Sequence, residues 1–385
     1  MGRLIDQYIR SEEERERAEK VEALAGRFAD RAGAHDLEGS FPFENFEDLR
    51  NAGYLKITVP KAFGGDELSL YEMVLLQERL AYGDGSTALA VGWHVGQVLH
   101  LRTSRKWPDS LFAQLCRDVV SDGAMINTFA TEAATGSPTR GGRPETTAVR
   151  TDGGWLITGR KTFSTLSPIL DRFVVSAYIP EEDRTAEFLV FASDRVTVAE
   201  TWDTIGMRAT GSHDVVLDGA FAAEDARITG KGTDDGGGWL LHIPACYIGI
   251  ALAARDFVLK YAQTYRPNYL TGPIAELPWV EQSIGQIEVE LRTARSLLYA
   301  AADRWDREPM ERRPHLKPEL GLAKYVATNN AIKVVDMAMR IAGGASLSRT
   351  FPLERYYRDV RAGLHNPPMD NMVLQALAAD ALSEN

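Results

Sequence analysis

Apolar residues recur at three- and four-residue steps through residues 12–122. Val21, Leu24, Ala25, Phe28 and Ala29 make one stripe, and residues 71–80 carry another. This period predicts amphipathic helices. Pro60-Lys61-Ala62-Phe63-Gly64-Gly65 interrupts them as a loop, since Pro and paired Gly break helices. From residue 124 to 228 the texture changes. Residues 147–150, 154–158, 172–176, 188–191 and 214–217 are short β-branched and aromatic runs separated by Gly, Asp and Pro turns, which predicts a β-barrel or sandwich. A turn-rich joint follows at residues 232–238. Beyond it Ile284, Ile287, Leu291, Ala294, Leu298 and Ala301 trace one helix stripe, and residues 325–342 a further helix stopped by Gly343-Gly344. The expected fold is α+β and mostly α: a helical domain over 1–123, a β-barrel over 124–231 and a helical bundle over 232–385. Antiparallel helices with two apolar faces favour packing against other subunits.

Charge narrows the function. The chain of 385 residues has a formal net charge of −11 and no basic block, a poor match to nucleic-acid backbones. No uninterrupted apolar run approaches the roughly 18 residues of a membrane span. The charged run Ser11-Glu12-Glu13-Glu14-Arg15-Glu16-Arg17 near the start does not resemble a secretory signal. Cys116 and Cys246 are the only cysteines, which excludes a disulfide framework or zinc cluster and suggests a reducing cytoplasm.

Four segments carry candidate chemistry. Phe129-Ala130-Thr131-Glu132-Ala133-Ala134-Thr135-Gly136-Ser137 and Gly159-Arg160-Lys161-Thr162-Phe163-Ser164-Thr165 are hydroxyl-rich, and both fall in the sheet zone. Small residues and hydroxyls let backbone approach a flat, polar-edged ligand, although each alone reads equally well as a Ser/Thr loop. Gly206-Met207-Arg208-Ala209-Thr210-Gly211-Ser212 offers an Arg that neutralises an anion or simply caps a strand. Ile341-Ala342-Gly343-Gly344 precedes a charged stretch, residues 352–361, of the kind that normally forms a solvated helix face.

Taken in order, the four segments resemble the acyl-CoA dehydrogenase superfamily along essentially the whole chain. That family carries a Thr-Glu-Pro-x-x-Gly-Ser-Asp loop, a Lys-x-Trp-Ile-Thr strand, a Gly-x-Arg-x-Ser/Thr turn and a Gln-x-x-Gly-Gly segment. The resemblance implies an N-terminal helical domain, a middle β-barrel and a C-terminal four-helix bundle, assembled as a homodimer or homotetramer with a flavin between barrel and bundle. It implies that Thr131 bonds the flavin ring and that Ser137 meets the pyrophosphate or substrate. Phe163 stands where the family has Trp against the ring, and Thr165 where its Thr meets N5. Asn127 and Phe129 belong to the same ring-binding stretch. Arg266 and Tyr269 match an Arg-x-x-Phe pair on the adenine half, which favours FAD over FMN, although Leu270 replaces the Gly that follows. Arg340 stands for the Gln ahead of Gly343 and Gly344, where it still suits pyrophosphate charge.

One element of the family pattern is missing. Acyl-CoA dehydrogenation needs a carboxylate to take the α-proton, usually nine residues beyond the Arg of an Arg-Asp pair. Counting from Arg358 reaches Pro367; the minority position, at the start of the first bundle helix, falls on Leu240-Leu241 beside Trp239 and His242. His365 or Asp370 is then the substitute proton acceptor. Leu364-His365-Asn366-Pro367 also resembles the Leu-His-Asp-Pro segment of flavin-dependent monooxygenases on this fold, which likewise lack the Glu. In their dibenzothiophene-type members a second His, an Asn and a Ser line the ring, and His94, Asn127 and Ser164 occupy comparable places. The first expectation is hydride transfer from an acyl-CoA-like substrate to flavin, with an electron-transfer flavoprotein as partner. The others are monooxygenation of a small organic substrate with flavin from a reductase, and a flavin-binding relative without catalysis.

Overall fold

The computed structural model describes residues 3–136 and 142–383. Its first unit is helical: α1 (Glu12–Glu38), α2 (Phe43–Asn51), α3 (Leu70–Gly83), α4 (Gly85–Ser104) and α5 (Asp109–Asp122). The α1 stripe runs Ala18, Val21, Leu24, Ala25, Phe28 and Ala32, while Ala29 faces solvent. Burying a ring such as Phe28 contributes ~2–3 kcal/mol. Ser69 and Glu72 form a reciprocal capping box that starts α3, and Asp84 accepts from the Ser86 and Thr87 amides to start α4. α4 is buried along most of its length, so it is the internal beam of this unit.

The middle unit is one sheet of β1 (Ile126–Phe129), β2 (Thr147–Thr151), β3 (Gly154–Lys161), β4 (Arg172–Ile179), β5 (Arg184–Phe191), β6 (Val196–Ala199), β7 (Asp214–Ala223) and β8 (Arg227–Ile228). Strand order is β6-β7-β3-β2-β4-β5-β8, with β1 parallel to β4. β5 and β7 come into contact although three strands separate them in that order, so the sheet curls into a barrel. The second hydroxyl-rich run was expected as strand. β3 instead stops at Lys161, because Phe163 takes a left-handed φ of 54° that ends the extended backbone.

The last unit comprises α6 (His242–Thr264), α7 (Pro278–Arg307), α8 (Lys317–Ala342), α9 (Leu353–Val360) and α10 (Asp370–Ser383). The predicted α8 starts eight residues late, its first turns being more polar. By average hydropathy, residues 238–264 are apolar enough to cross a membrane, yet 83% of their most apolar window is buried inside the fold. This is a core helix, packed on α3, α4 and α8. Barrel and bundle are clasped where Asp359 accepts the Met207 amide at 2.6 Å. Arg208, the candidate anion site, is engaged structurally instead. Its guanidinium donates to the Asp36 carbonyl at 2.7 Å and the Thr204 carbonyl at 2.7 Å, capping the end of α1.

Candidate active site

Three hydroxyl-bearing segments are stitched together at one end of the barrel. The Thr162 amide donates to the Thr131 carbonyl at 2.9 Å, Ser164 to His213 at 3.1 Å and Leu166 to Thr210 at 3.2 Å. Their side chains form a row: Thr165 Oγ1 lies 2.8 Å from Ser212 Oγ, which lies 2.7 Å from Thr210 Oγ1. Asn127 Nδ2 donates to the Thr165 carbonyl at 3.0 Å and braces the row from β1. The hydroxyls of Thr162 and Ser164 are buried without a partner among the described residues. Buried hydroxyls are ordinarily satisfied, so these two are suited to meet a ligand atom or water. Beside them the strained turn displays Phe163, 64% exposed and edge-on to Trp202 at 5.8 Å. The arrangement is a polar ledge with an aromatic flank, a shape that takes a flat ring with a polar rim.

Under the ledge sits a buried ion pair. Lys161 Nζ donates to Glu132 Oε1 at 2.6 Å, and the same carboxylate accepts from Thr146 Oγ1 at 2.6 Å and the Glu145 amide at 2.6 Å. Burial pushes the Glu132 carboxyl up, but the bonds from Lys161 and Thr146 outweigh it and hold the group down at about 2. Both neighbours of the pair, Thr131 and Thr162, carry the ledge.

Several expected site residues lie elsewhere. His94 is fully buried, with Nε2 3.0 Å from the Leu55 carbonyl and Nδ1 accepting the Ile126 amide at 3.2 Å. Burial lowers it to about 4, so it is a neutral strut between α4 and β1 with no nitrogen left for a ligand. The Phe129 side chain packs inside the barrel on Phe173 and does not face the ledge. Asp370 accepts from Asn329 Nδ2 at 2.9 Å and pairs with the buried Lys324 at 3.5 Å, which pins α10 to α8. His365 is exposed, and no hydrogen bond of its side chain occurs among the described residues. Its neighbour Asn366 accepts a bond from the fully buried Tyr247 hydroxyl. Arg340, Gly343 and Gly344 line a separate groove of about 580 Å³ with Met339, Leu347 and Tyr357. Arg266 and Tyr269 are exposed in the loop after α6, and no hydrogen bond or ring contact joins them to that groove or to the ledge. Ser137 lies outside the described residues.

Two histidines at these places were not among the candidates. His213 joins the ledge through its carbonyl, and its Nδ1 accepts the amides of Thr201 and Trp202 at 3.1 and 3.0 Å. His242 is buried beside Trp93 and Trp239. In the sequence its place next to the missing carboxylate marks it, and so does the notch that Gly92 and Gly96 form on α4.

The ledge fits an isoalloxazine: unpaired hydroxyls and main-chain groups can meet the ring's polar edge, and an exposed aromatic can cover its face. The groove offers Arg340 beside two glycines whose missing side chains leave open space; Arg340 Nε donates to Asp336 at 2.8 Å, and its remaining guanidinium donors suit a phosphate-bearing tail.

Three family models match the chain in order. Residues 11–103, 127–220 and 241–364 match the N-terminal, middle and C-terminal domains of acyl-CoA dehydrogenases. The chain is 49% identical to YdbM of Bacillus subtilis (strain 168), provisionally named an acyl-CoA dehydrogenase, over 97% of this chain and 98% of that one. It is 29% identical to an L-evernosamine nitrososynthase of Micromonospora sp., covering 94% and 90% of the two chains. Among solved structures, KijD3 in complex with FMN and a dTDP-linked amino-keto sugar superposes with a TM-score of 0.86 at 25% identity, over 100% of this chain and 97% of that one. With its three domains matched in order and a relative this close over nearly its full length, the chain belongs to the acyl-CoA dehydrogenase family of flavoprotein oxidoreductases.

Proposed function

We propose that this protein is a flavin-dependent monooxygenase that uses reduced flavin and dioxygen on a small organic substrate. The observation that carries the reading is the composition of the two base positions: Pro367 at one and Leu240-Leu241 at the other. A dehydrogenase needs a carboxylate there, and proline and leucine cannot accept a proton. The unpaired Ser164 hydroxyl next to the ledge supports oxygen chemistry, which benefits from a polar donor beside the ring. The nitrososynthase relative and the FMN-bound KijD3 support it further. Thr131, Thr165 and Phe163 would hold the ring, and Arg340, Gly343 and Gly344 its phosphate-bearing tail, with Arg266 and Tyr269 reaching an adenine only if the flavin is FAD. The bound flavin would supply the redox chemistry, with electrons delivered by a separate reductase.

Acyl-CoA dehydrogenation is the second reading, favoured by the name given to the 49%-identical relative and by one structural observation. Among the described residues His365 is an exposed imidazole without a side-chain hydrogen bond, two residues from the usual base position. Electrons would then leave to an electron-transfer flavoprotein. Anaerobic mixing of flavin-loaded protein with a panel of acyl-CoA thioesters separates the two. The oxygenase reading expects no bleaching of the visible flavin bands, and incorporation of isotopically labelled dioxygen into product when reduced flavin is supplied. Rapid bleaching by a thioester would overturn it in favour of the second.

A further inference from the structure

At the first turn of α6, His242 is fully buried and neither ring nitrogen has a hydrogen-bond partner. Burial pushes the imidazole down to about 3, so the ring is neutral, with one N–H to give and one lone pair to fill. Unmet polar groups inside a protein are uncommon and destabilising. The sequence pays for the placement on a second element. A Cβ on Gly92 of α4 would lie 2.5 Å from His242 Nδ1, and one on Gly96 3.1 Å from Cδ2. These glycines, one helical turn apart, form the notch that admits the imidazole. Around it stand Trp93, edge-on at 5.0 Å, and Trp239, near-parallel at 6.2 Å. The two indoles meet at 5.9 Å, and His100 lies 5.3 Å from Trp239. Trp93, Trp239 and His100 are half-buried, so the aromatic cluster reaches the surface while its polar centre does not.

The cluster is linked to the ledge through α4 and β1. His94, next to Trp93, accepts the amide of Ile126; the following residue, Asn127, holds the Thr165 carbonyl. In sequence, His242 directly follows the Leu240-Leu241 pair where a carboxylate would otherwise begin this helix.

We infer that His242 is a specificity-determining residue, which with Trp93 and Trp239 takes a flat, uncharged, conjugated ligand carrying a hydrogen-bonding heteroatom. The indole faces supply stacking and edge contacts to a π-system. The neutral imidazole supplies the polar contact for a phenolic hydroxyl, a heteroaromatic N–H or a conjugated carbonyl. It carries no charge with which to hold a carboxylate. That this ligand is the substrate rests on the flavoenzyme reading, and the test keeps the two apart.

Phenol, toluene and cyclohexanol separate the contributions: phenol has both the π-face and the hydroxyl, and each of the others lacks one. Titration of flavin-free protein by tryptophan fluorescence, repeated on flavin-loaded protein while the visible bands are recorded, gives affinity and proximity together. Phenol is expected to bind at least about tenfold tighter than toluene or cyclohexanol, the size of one good buried hydrogen bond, and to shift the flavin bands. In His242→Phe phenol should fall to the toluene level with toluene unchanged. Should that variant not fold, selectivity and band shift in the unaltered protein decide alone. Equal affinities, no binding, or binding that leaves the flavin bands unmoved would each overturn the inference. Protein that selects phenol but takes up neither FAD nor FMN refutes the flavoenzyme reading and leaves the ligand class standing.

Discussion

Replacing Lys161 with Met tests what holds the ledge in place. The substitution removes the charge that donates to Glu132 at 2.6 Å and keeps a side chain of similar reach at a fully buried position. Two routes give its magnitude. Breaking a buried ion pair by deleting one partner costs ~3–5 kcal/mol, because the remaining charge stays buried. Independently, a carboxyl held at about 2 against an ordinary 4.5 corresponds to ~3 kcal/mol of pH-dependent stabilisation, shared between Lys161 and the other donors. Since Thr146 and the Glu145 amide remain, the lower figure applies, and thermal unfolding of the flavin-loaded protein should drop by about 4 °C near neutral pH. The Glu132 carboxyl is depressed on folding, so its contribution is fully present above its unfolded value of 4.5 and fades as pH falls toward about 2. The deficit of the variant should therefore shrink over that window. Pairing the change with Glu132→Gln, which removes the orphaned charge, should recover most of the loss. A single variant within about 2 °C of the parent, or a double variant no better than the single, would refute the reasoning.

Other perturbations read separate parts of the site. Thr165→Ala cuts the hydroxyl row at its 2.8 Å contact with Ser212, a loss of about 1 kcal/mol, and should shift the visible flavin spectrum before it lowers the unfolding temperature; an unchanged spectrum would remove Thr165 from the ring site. Gly92→Ala would place a Cβ 2.4 Å from Gln77 Nε2, whose amide is fixed by the Ala88 carbonyl and the Tyr54 hydroxyl; overpacking of ~1–3 kcal/mol exceeds the helix-propensity gain of ~1, and melting should fall. Gly26→Ala on the exposed side of α1, where a Cβ meets nothing within 4 Å, isolates that gain and should raise the melting temperature slightly. His365→Ala should leave flavin occupancy intact, since its side chain touches no part of the ledge, and should abolish any reduction by thioesters if the second reading holds; retained reduction would eliminate His365 as the base.

Much of the fold was legible because it follows from periodicity. The α1, α7 and α8 stripes reflect burial on one side of a helix, the run at residues 172–176 is buried on both faces of its strand, and Gly343 ends α8 with a φ of 64°. The hydroxyl-rich segments stand out by composition, yet each alone reads equally well as a Ser/Thr loop; that they meet at one end of the barrel is visible only in the structure. What was not legible is how individual polar groups are satisfied. His94 looks the same in sequence whether its nitrogens face a ligand or, as here, the Leu55 carbonyl and the Ile126 amide. Asp370 is indistinguishable from a free carboxylate until Lys324 is seen against it. Phe129 precedes the Thr-Glu loop, but strand alternation turns its ring into the barrel. His242 had one readable signal, Gly92 and Gly96 four apart on a buried helix, which announces that something bulky packs there without saying what.

The fates of these side chains bear jointly on the reaction. Proton removal from carbon needs a base that is both near the flavin and able to titrate in the working range. Among the ionisable groups weighed as the base, Glu132 is held ionised by Lys161 and its neighbours, and His94 is neutral with both nitrogens engaged. Asp370 is paired with Lys324, and His242 is neutral and enclosed. Each is tied to a structural partner or sealed from solvent, which leaves His365 as the one candidate without such a tie among those weighed. The groups left unpaired are instead neutral donors and acceptors: the Thr162 and Ser164 hydroxyls and the His242 imidazole. A site with that balance is better suited to orienting an uncharged substrate beside a reactive ring than to taking its proton, and this favours oxygenation over dehydrogenation from the chain's own residues, independently of any relative.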